Sequence, residues 1–249
     1  MQTQEKTFYD KHPFDWIERY RPDELLDTVP PLLAATLEKA SDSALIFDIG
    51  CGAGRVVSYM AWKGLRCIGL DFSRVSVELM TRRTGKPGIV ASNLELPLRE
   101  ECADLLISDG VIHHTMDPFK AFAENCRVLK SGGMLYLAVY KPGGRYAALY
   151  RRPGSAIRRL LHHPLGRFLV HASMLPAYYF VHVLKSKGRI TWRGAKNLFY
   201  DYFATPRVAF LSKSDVEDWC GRCRVHITGY DANPRLNVHS FLLQKSETV

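Results

Sequence analysis

The segment IFDIGCGAGR, residues 46–55, restricts the fold more than any other part of this 249-residue chain. An apolar run ends in Asp48, the chain turns through Gly50, Gly52 and Gly54, and a helix-like stretch follows. Glycines at such a turn let the backbone approach a ligand closely, and the start of the helix offers unpaired N–H groups. Dinucleotide-binding folds place G-x-G-x-x-G here. In this chain position 55 is Arg and the third glycine comes one residue early, which argues against that ligand class. About twenty residues on, Asp71 closes the next apolar run, where an acidic side chain can accept hydrogen bonds from both ribose hydroxyls.

The surrounding pattern sets the fold class. Residues 44–48, 66–71, 88–91, 103–108 and 134–140 are short and rich in Ile, Leu, Val or Tyr, and between them 55–63, 73–83 and 118–129 place apolar residues at helical spacing. That alternation predicts βαβ units around a mostly parallel sheet with helices on both faces. Residues 130–133 (KSGG) read as a helix stop. After Tyr140 the rhythm breaks for some seventy residues, too long for a simple loop. A helix over 212–223, with Ser212 or Ser214 as its cap, and strands at 225–230 and 239–244 then complete seven strands. Four segments are expected: an N-terminal helical and aromatic cover (1–41), a core (42–140), a helical insert after strand five (141–211) and the final helix with two strands (212–249).

The joint pattern resembles the class I S-adenosylmethionine-dependent methyltransferases, through D-x-G-C-G-x-G with a downstream acid. LPL at 96–98, ADLLISDGVIHHTMD at 103–117 and ENCRVLKSGGMLYLAV at 124–139 resemble the type 11, ubiquinone-methyltransferase-like branch in order and spacing. The likeness is good over about 42–140, loose over 212–244, and does not reach the insert or the first forty residues. It implies a Rossmann-like fold and S-adenosylmethionine as cofactor. By the same resemblance Asp48 orients the turn or meets the amino-acid end, and Gly50, Cys51 and Gly52 pass the methionine part, with Gly54 completing the turn. Asp71 holds the ribose with Phe72 against the adenine, and Ser108, Asp109 and Val111 line the cofactor. Many relatives carry an Asp before the L-P pair to bind the adenine amine. Here Ser92 and Asn93 are the candidates, and an Asn oxygen can still accept that bond.

Methyl transfer from a sulfonium is an in-line displacement, so alignment supplies much of the rate, up to about 7–11 kcal/mol. An oxygen or carbon acid must also lose a proton. His113 and His114, just past the fourth strand, have the near-neutral pKa of a general base, although a structural or substrate-lining role is the competing reading. Cys220-Gly-Arg-Cys223 is a lone C-x-x-C pair at a helix end with only His226 nearby, and reads as packing; no metal is expected.

The acceptor is less constrained. Composition is that of an ordinary folded protein, with 47% hydrophobic and 24% charged residues, which excludes disordered and fibrous classes. Thinly spread cysteines and a charged start, MQTQEKTFYDK, predict a reducing cytoplasm and no signal peptide. Of the net charge of +9, residues 125–200 contribute +14 with no Asp or Glu, leaving −5 elsewhere. Within that stretch residues 168–184 carry no charge, and they read as a buried or lid helix pair broken at Pro176, an interfacial segment, or a short span. Tyr9, Phe14, Trp16, Tyr140, Tyr178 and Tyr179 are the candidate acceptor contacts. The N-terminal aromatic cluster is expected to fold over the cofactor pocket, with simple helix packing as the alternative. The main expectation is a small or lipid-like amphiphilic acceptor, with the protein cytoplasmic or peripheral on an anionic inner-membrane face. RNA methylation through the basic insert, and a non-catalytic cofactor-binding subunit, remain alternatives.

Overall fold

The parallel sheet expected from the alternation of apolar runs and helices is present in a computed structural model that describes residues 2–143, 145–233 and 236–247. Helix α1 (Gln2–Lys11) is followed by a 3-10 turn (Pro22–Thr28), α2 (Pro31–Glu38) and β1 (Leu45–Ile49). Then come α3 (Arg55–Trp62), β2 (Arg66–Asp71), α4 (Arg74–Thr84), β3 (Gly88–Val90), β4 (Ala103–Asp109), α5 (Pro118–Val128) and β5 (Leu129–Tyr140). Helices α6 (Arg145–Arg151), α7 (Pro153–His162), α8 (Pro164–Leu169), α9 (Leu175–Lys185) and α10 (Trp192–Ala204) precede α11 (Lys213–Cys223), β6 (Val225–Asp231) and β7 (Val238–Lys245).

The seven strands lie in the order β3-β2-β1-β4-β5-β7-β6. β1 to β5 run parallel, and β7 is antiparallel to both neighbours, the Rossmann-like arrangement of class I methyltransferases. Ile46, Phe47, Ile49, Leu105, Leu106 and Ile107 are all buried, because inner parallel strands are covered on both faces and cannot alternate apolar with polar. From β1 the chain winds outward to β3 and then jumps back to β4. The carboxyl ends of β1 and β4 therefore flank the point where winding reverses, the place where such sheets bind ligands. Local chemistry starts the helices: the Ser73 side chain accepts from Ser76 N–H, Asp117 from Lys120 N–H ahead of Pro118, and Ser212 forms a reciprocal capping box with Asp215.

The residues divide into two units, each with its own core. Pro22–Pro142 with Arg207–Val249 contain the sheet, and Met1–Arg21 with Gly143–Pro206 form a helical unit. Within the N-terminal segment the division between the two units falls after Arg21. Leu25, Leu33 and Leu37 are buried in the sheet unit, whereas Phe8 packs in the helical unit against a core of Ile157, Val170, Leu175, Phe199 and Tyr200.

Two local expectations are corrected. Residues 130–133 do not form a stop between helix and strand. Leu129 already pairs with Ala103, the next pair is Leu105 with Met134, and the intervening residues bulge with Gly132 at φ +73°. Hydrogen bonds from Glu101 N–H to Arg127 O (3.1 Å) and Cys102 N–H to Val128 O (2.9 Å) draw the end of α5 into the sheet. Nor does the helix break at Pro176. The path stays helical from α8 to α9 through a π turn at Val170–Met174, and Pro176 occupies the first turn of α9, where its missing N–H costs least. No helix among the described residues is long and apolar enough to cross a membrane.

Candidate active site

The site begins with the turn after β1. Gly50, Gly52 and Gly54 all adopt positive φ, at +74°, +53° and +90°. At Gly50 the requirement is doubled, because a Cβ would lie 2.6 Å from Val111 Cγ1 in the loop after β4. Gly50 N–H and Cys51 N–H both donate to Leu70 O (2.7 and 2.9 Å), tying the turn to β2.

Asp71 joins two loops at the end of β2. One carboxylate oxygen accepts from Gly52 N–H (2.9 Å) and the other from Ser73 N–H (2.8 Å). The carboxylate is half-buried at the carboxyl end of β2, where its two oxygens are held by backbone donors from two different loops. Phe72 is half-buried beside it. Cys51 is buried with its Sγ 3.6 Å from Gly52 O, and burial pushes its thiol pKa up, so it is packing.

Asp48 is buried, and burial raises its carboxyl pKa to about 7. Arg55 opposes that rise, while the negative charges of Asp109 and Asp71 add to it. Three carboxylates thus crowd the ends of β1, β2 and β4. Arg55 in the first turn of α3 forms a close ion pair with Asp109 and donates to Thr28 O at 2.8 Å. Asp109, expected as a cofactor contact, is the partner of this arginine. Sequence reasoning read Arg55 only as a missing glycine; its place one residue after Gly54 was the signal that it had a role. Arg83, likewise overlooked, reaches back from α4 to Ala53 O.

The loop after β3 resolves its two candidates differently. Ser92 Oγ accepts from Leu94 N–H (3.2 Å), closing a turn. Asn93 is buried, and neither its oxygen nor its nitrogen has a partner among the described residues. An orphaned amide costs about 1–3 kcal/mol, which a ligand presenting both a donor and an acceptor would recover. β3 pairs with β2 through Val90 and Asp71, so Asn93 follows directly on the strand beside the Asp71 carboxylate.

At the end of β4, Ser108 is buried and its hydroxyl has no partner among the described residues, and Gly110, at φ +81°, donates to Ala138 O. His113 has no exposed surface and neither ring nitrogen has a hydrogen-bond partner among the described residues; burial first, then the neighbouring His114, hold its pKa well below the ordinary value. It is a neutral ring packed 4.2 Å from Tyr140. His114 is half-buried and its Nδ1 lies 2.8 Å from Arg207 O. A carbonyl only accepts, so Nδ1 carries the hydrogen and Nε2 is the basic nitrogen.

Among the candidate acceptor contacts, Tyr140 stands at the end of β5 in the sheet unit. The other five belong to the helical unit. Tyr9 OH bonds Thr205 Oγ1 (3.1 Å), Phe14 and Trp16 meet edge to face (6.2 Å), Tyr179 meets Trp192 (5.2 Å), and Tyr178 packs on His182, Phe199 and Phe203. Cys220 and Cys223 join Cys126 in the sheet-unit core, as packing at the end of α11.

Residues 47–137 match the family model described as a methyltransferase domain, type 11. The probable tRNA methyltransferase 9B of Homo sapiens is 35% identical over 113 residues, 44% of this chain and 24% of that protein. The Arabidopsis thaliana tRNA (carboxymethyluridine(34)-5-O)-methyltransferase is 34% identical over 113 residues, 44% of this chain and 27% of that one. The chain thus spans about a quarter of the length of these relatives. A solved SAM-dependent methyltransferase from Methanosarcina mazei superposes with a TM-score of 0.57 at 16% identity, over 88% of this chain and 99% of that one.

Proposed function

We propose that the chain uses the methyltransferase domain matched over residues 47–137, with S-adenosylmethionine as donor, to methylate a small or lipid-like amphiphilic acceptor by in-line displacement. The observation that carries the cofactor half is Asp71, an acid that closes β2 and is pinned by Gly52 and Ser73 N–H groups beside the glycine turn, where it would meet the ribose hydroxyls. The residues fit S-adenosylmethionine in two further respects. Asn93 offers an unpartnered donor and acceptor to the adenine edge. Asp71 and Asp109 add negative charge beside Asp48, so a ligand bearing both an ammonium and a sulfonium relieves that repulsion. When bound, this cofactor supplies a methyl group on a good leaving group. The chain's own residues then hold and align: Gly50 to Gly52 let the backbone close on the methionine part, Phe72 flanks the base, and Ser108 and Val111 line the wall after β4.

His114, with Nε2 as its basic nitrogen, takes the acceptor proton where the acceptor is an oxygen or carbon acid, a role worth about 10²–10⁴-fold. Buried His113 positions it, their rings 4.3 Å apart. Tyr140, at the end of β5 and 4.2 Å from the His113 ring, contributes to the acceptor side. The amphiphilic acceptor is supported by the pairing of exposed apolar and basic side chains in the helical unit. A second reading, an RNA acceptor, is favoured by the names of the curated relatives and by the basic stretch, although that similarity covers less than half of the chain.

The test is calorimetry with S-adenosylmethionine on Asp71→Ala. Affinity falls by about 2–3 kcal/mol, roughly 30- to 150-fold, as two hydrogen bonds to a charged acceptor are lost; unchanged affinity would put the cofactor elsewhere. Incubation with methyl-labelled cofactor and a cell extract then separates the acceptors. Label in organic solvent supports the amphiphile, and label in RNA overturns it.

A further inference from the structure

The solvent side of α8, the π turn and α9 breaks the ordinary rule for a surface helix. Gly166, Val170 and Leu175 face the helical unit's interior. The opposite side presents Leu165, Phe168, Leu169, Ala172, Pro176, Ala177, Phe180, Val181 and Leu184 to water. Four of these are very open: Leu165 is 71% exposed, Phe168 66%, Phe180 64% and Leu184 64%. A soluble helix puts charge on that side, yet between Arg167 and Lys185 there is none. Ser173, on the same exposed stretch, spends its hydroxyl donor on Leu169 O at 2.7 Å. About 22 residues at 1.5 Å each give an apolar strip roughly 30 Å long. Leu160 at the end of α7 is also exposed, and Trp192, 44% exposed, stands against Tyr179.

What surrounds the strip decides what covers it. The segment Gly143–Pro206 carries eleven Lys and Arg against one acid, Asp201. Arg167 in α8, Lys185 at the end of α9 and Lys187 just past it are exposed, as are Arg151, Arg152 and Arg159 around the ends of α6 and α7 earlier in the same unit. A second copy of the chain would bring +10 against +10. RNA would match the charge but finds no donor on a face of Leu, Phe and Val. An apolar strip edged by cations, with a Trp and Tyr beside it, matches the boundary between acyl chains and anionic headgroups.

We propose that the α8–α9 face docks in the plane of an anionic lipid surface, burying Leu165, Phe168, Phe180 and Leu184 among acyl chains while the flanking Arg and Lys meet the headgroup phosphates. The proposal stands on this face and goes beyond the methyl-transfer reading. It is tested by co-sedimentation of the full chain with vesicles of equal phosphatidylglycerol and phosphatidylcholine, and of phosphatidylcholine alone, at low and moderate salt. The expected result is binding to the anionic vesicles, at least tenfold weaker binding to the neutral ones, and partial loss with salt. Phe168→Ser with Phe180→Ser, and separately Leu165→Ser with Leu184→Ser, weaken vesicle binding at least tenfold. All four side chains face water, so S-adenosylmethionine affinity and the thermal midpoint stay unchanged. Absence of sedimentation with anionic vesicles, or variants that sediment like the parent, overturns the proposal. So does a parent dimer that these variants dissociate, or binding to a uridine homopolymer that they abolish, since either gives the face another occupant. Failure of cofactor binding with vesicle binding intact removes the methyl-transfer reading and leaves this one standing.

Discussion

Arg55 and Asp109 are joined across the site: a guanidinium from the first turn of α3 closes on the carboxylate that ends β4, 54 residues later in the chain. The same guanidinium bonds Thr28 O, so one side chain fastens the glycine turn, the fourth strand and the segment before α2. Arg55→Met leaves the largely buried Asp109 carboxylate near Asp48 without its ion-pair partner. The expected loss is about 3 kcal/mol in urea unfolding, with much of it recovered in Arg55→Met with Asp109→Leu. A loss below 0.5 kcal/mol for the single variant would mean the pair is only a surface contact.

Asp48 makes the fold pH-dependent. Its folded-state pKa, about 7, lies above the ordinary value near 4, so the folded chain holds this proton more tightly than the unfolded one. By linkage its contribution is most favourable below about pH 4 and is lost as pH rises through 7. Three units correspond to at most about 4 kcal/mol. Asp48→Asn is therefore more stable than the parent at pH 8 and equal to it at pH 4, while its affinity for a cationic ligand falls at pH 8. Thermal unfolding at the two pH values checks the sign.

Asn93 separates stability from binding. Replacing a buried, unpartnered amide by Leu removes a desolvation cost, so Asn93→Leu leaves the ligand-free protein as stable as the parent or up to about 2 kcal/mol more stable. The same change weakens S-adenosylmethionine at least tenfold in calorimetry. A variant that binds normally would show that the amide faces no ligand.

Gly50 carries a steric prediction. Gly50→Ala sets a methyl against Val111 and forces an L-residue to φ +74°, at a cost of about 2–4 kcal/mol. Val111→Ala in the same chain relieves the collision but not the backbone strain, so the double variant recovers part of the loss. Full recovery in denaturant titration would mean the positive φ is not a constraint here.

Much of the fold was legible in the sequence because its signals are local. A continuous apolar run such as 46–49 fits only a strand covered on both faces, Ser73 and Asp117 cap the helices they precede, and glycines at 50, 52 and 54 mark a turn that needs positive φ. Each is decided by a residue and its near neighbours. The path through Val170–Met174 was misjudged because a proline reads as a break, whereas its position in a helix depends on how the preceding turn can widen.

The sequence by itself determined the sheet, the glycine turn and the acid that closes β2, since periodicity, turn chemistry and strand ends are written within a few residues. Only the tertiary structure decided that Asp109 is held by Arg55, that Ser92 closes a turn while Asn93 stays unpartnered, and that the uncharged stretch 168–184 turns its apolar side to water. Those outcomes depend on which strand lies beside which and on which helix face the core occupies. Burial and pairing are properties of neighbours distant in the chain, and no local pattern carries them.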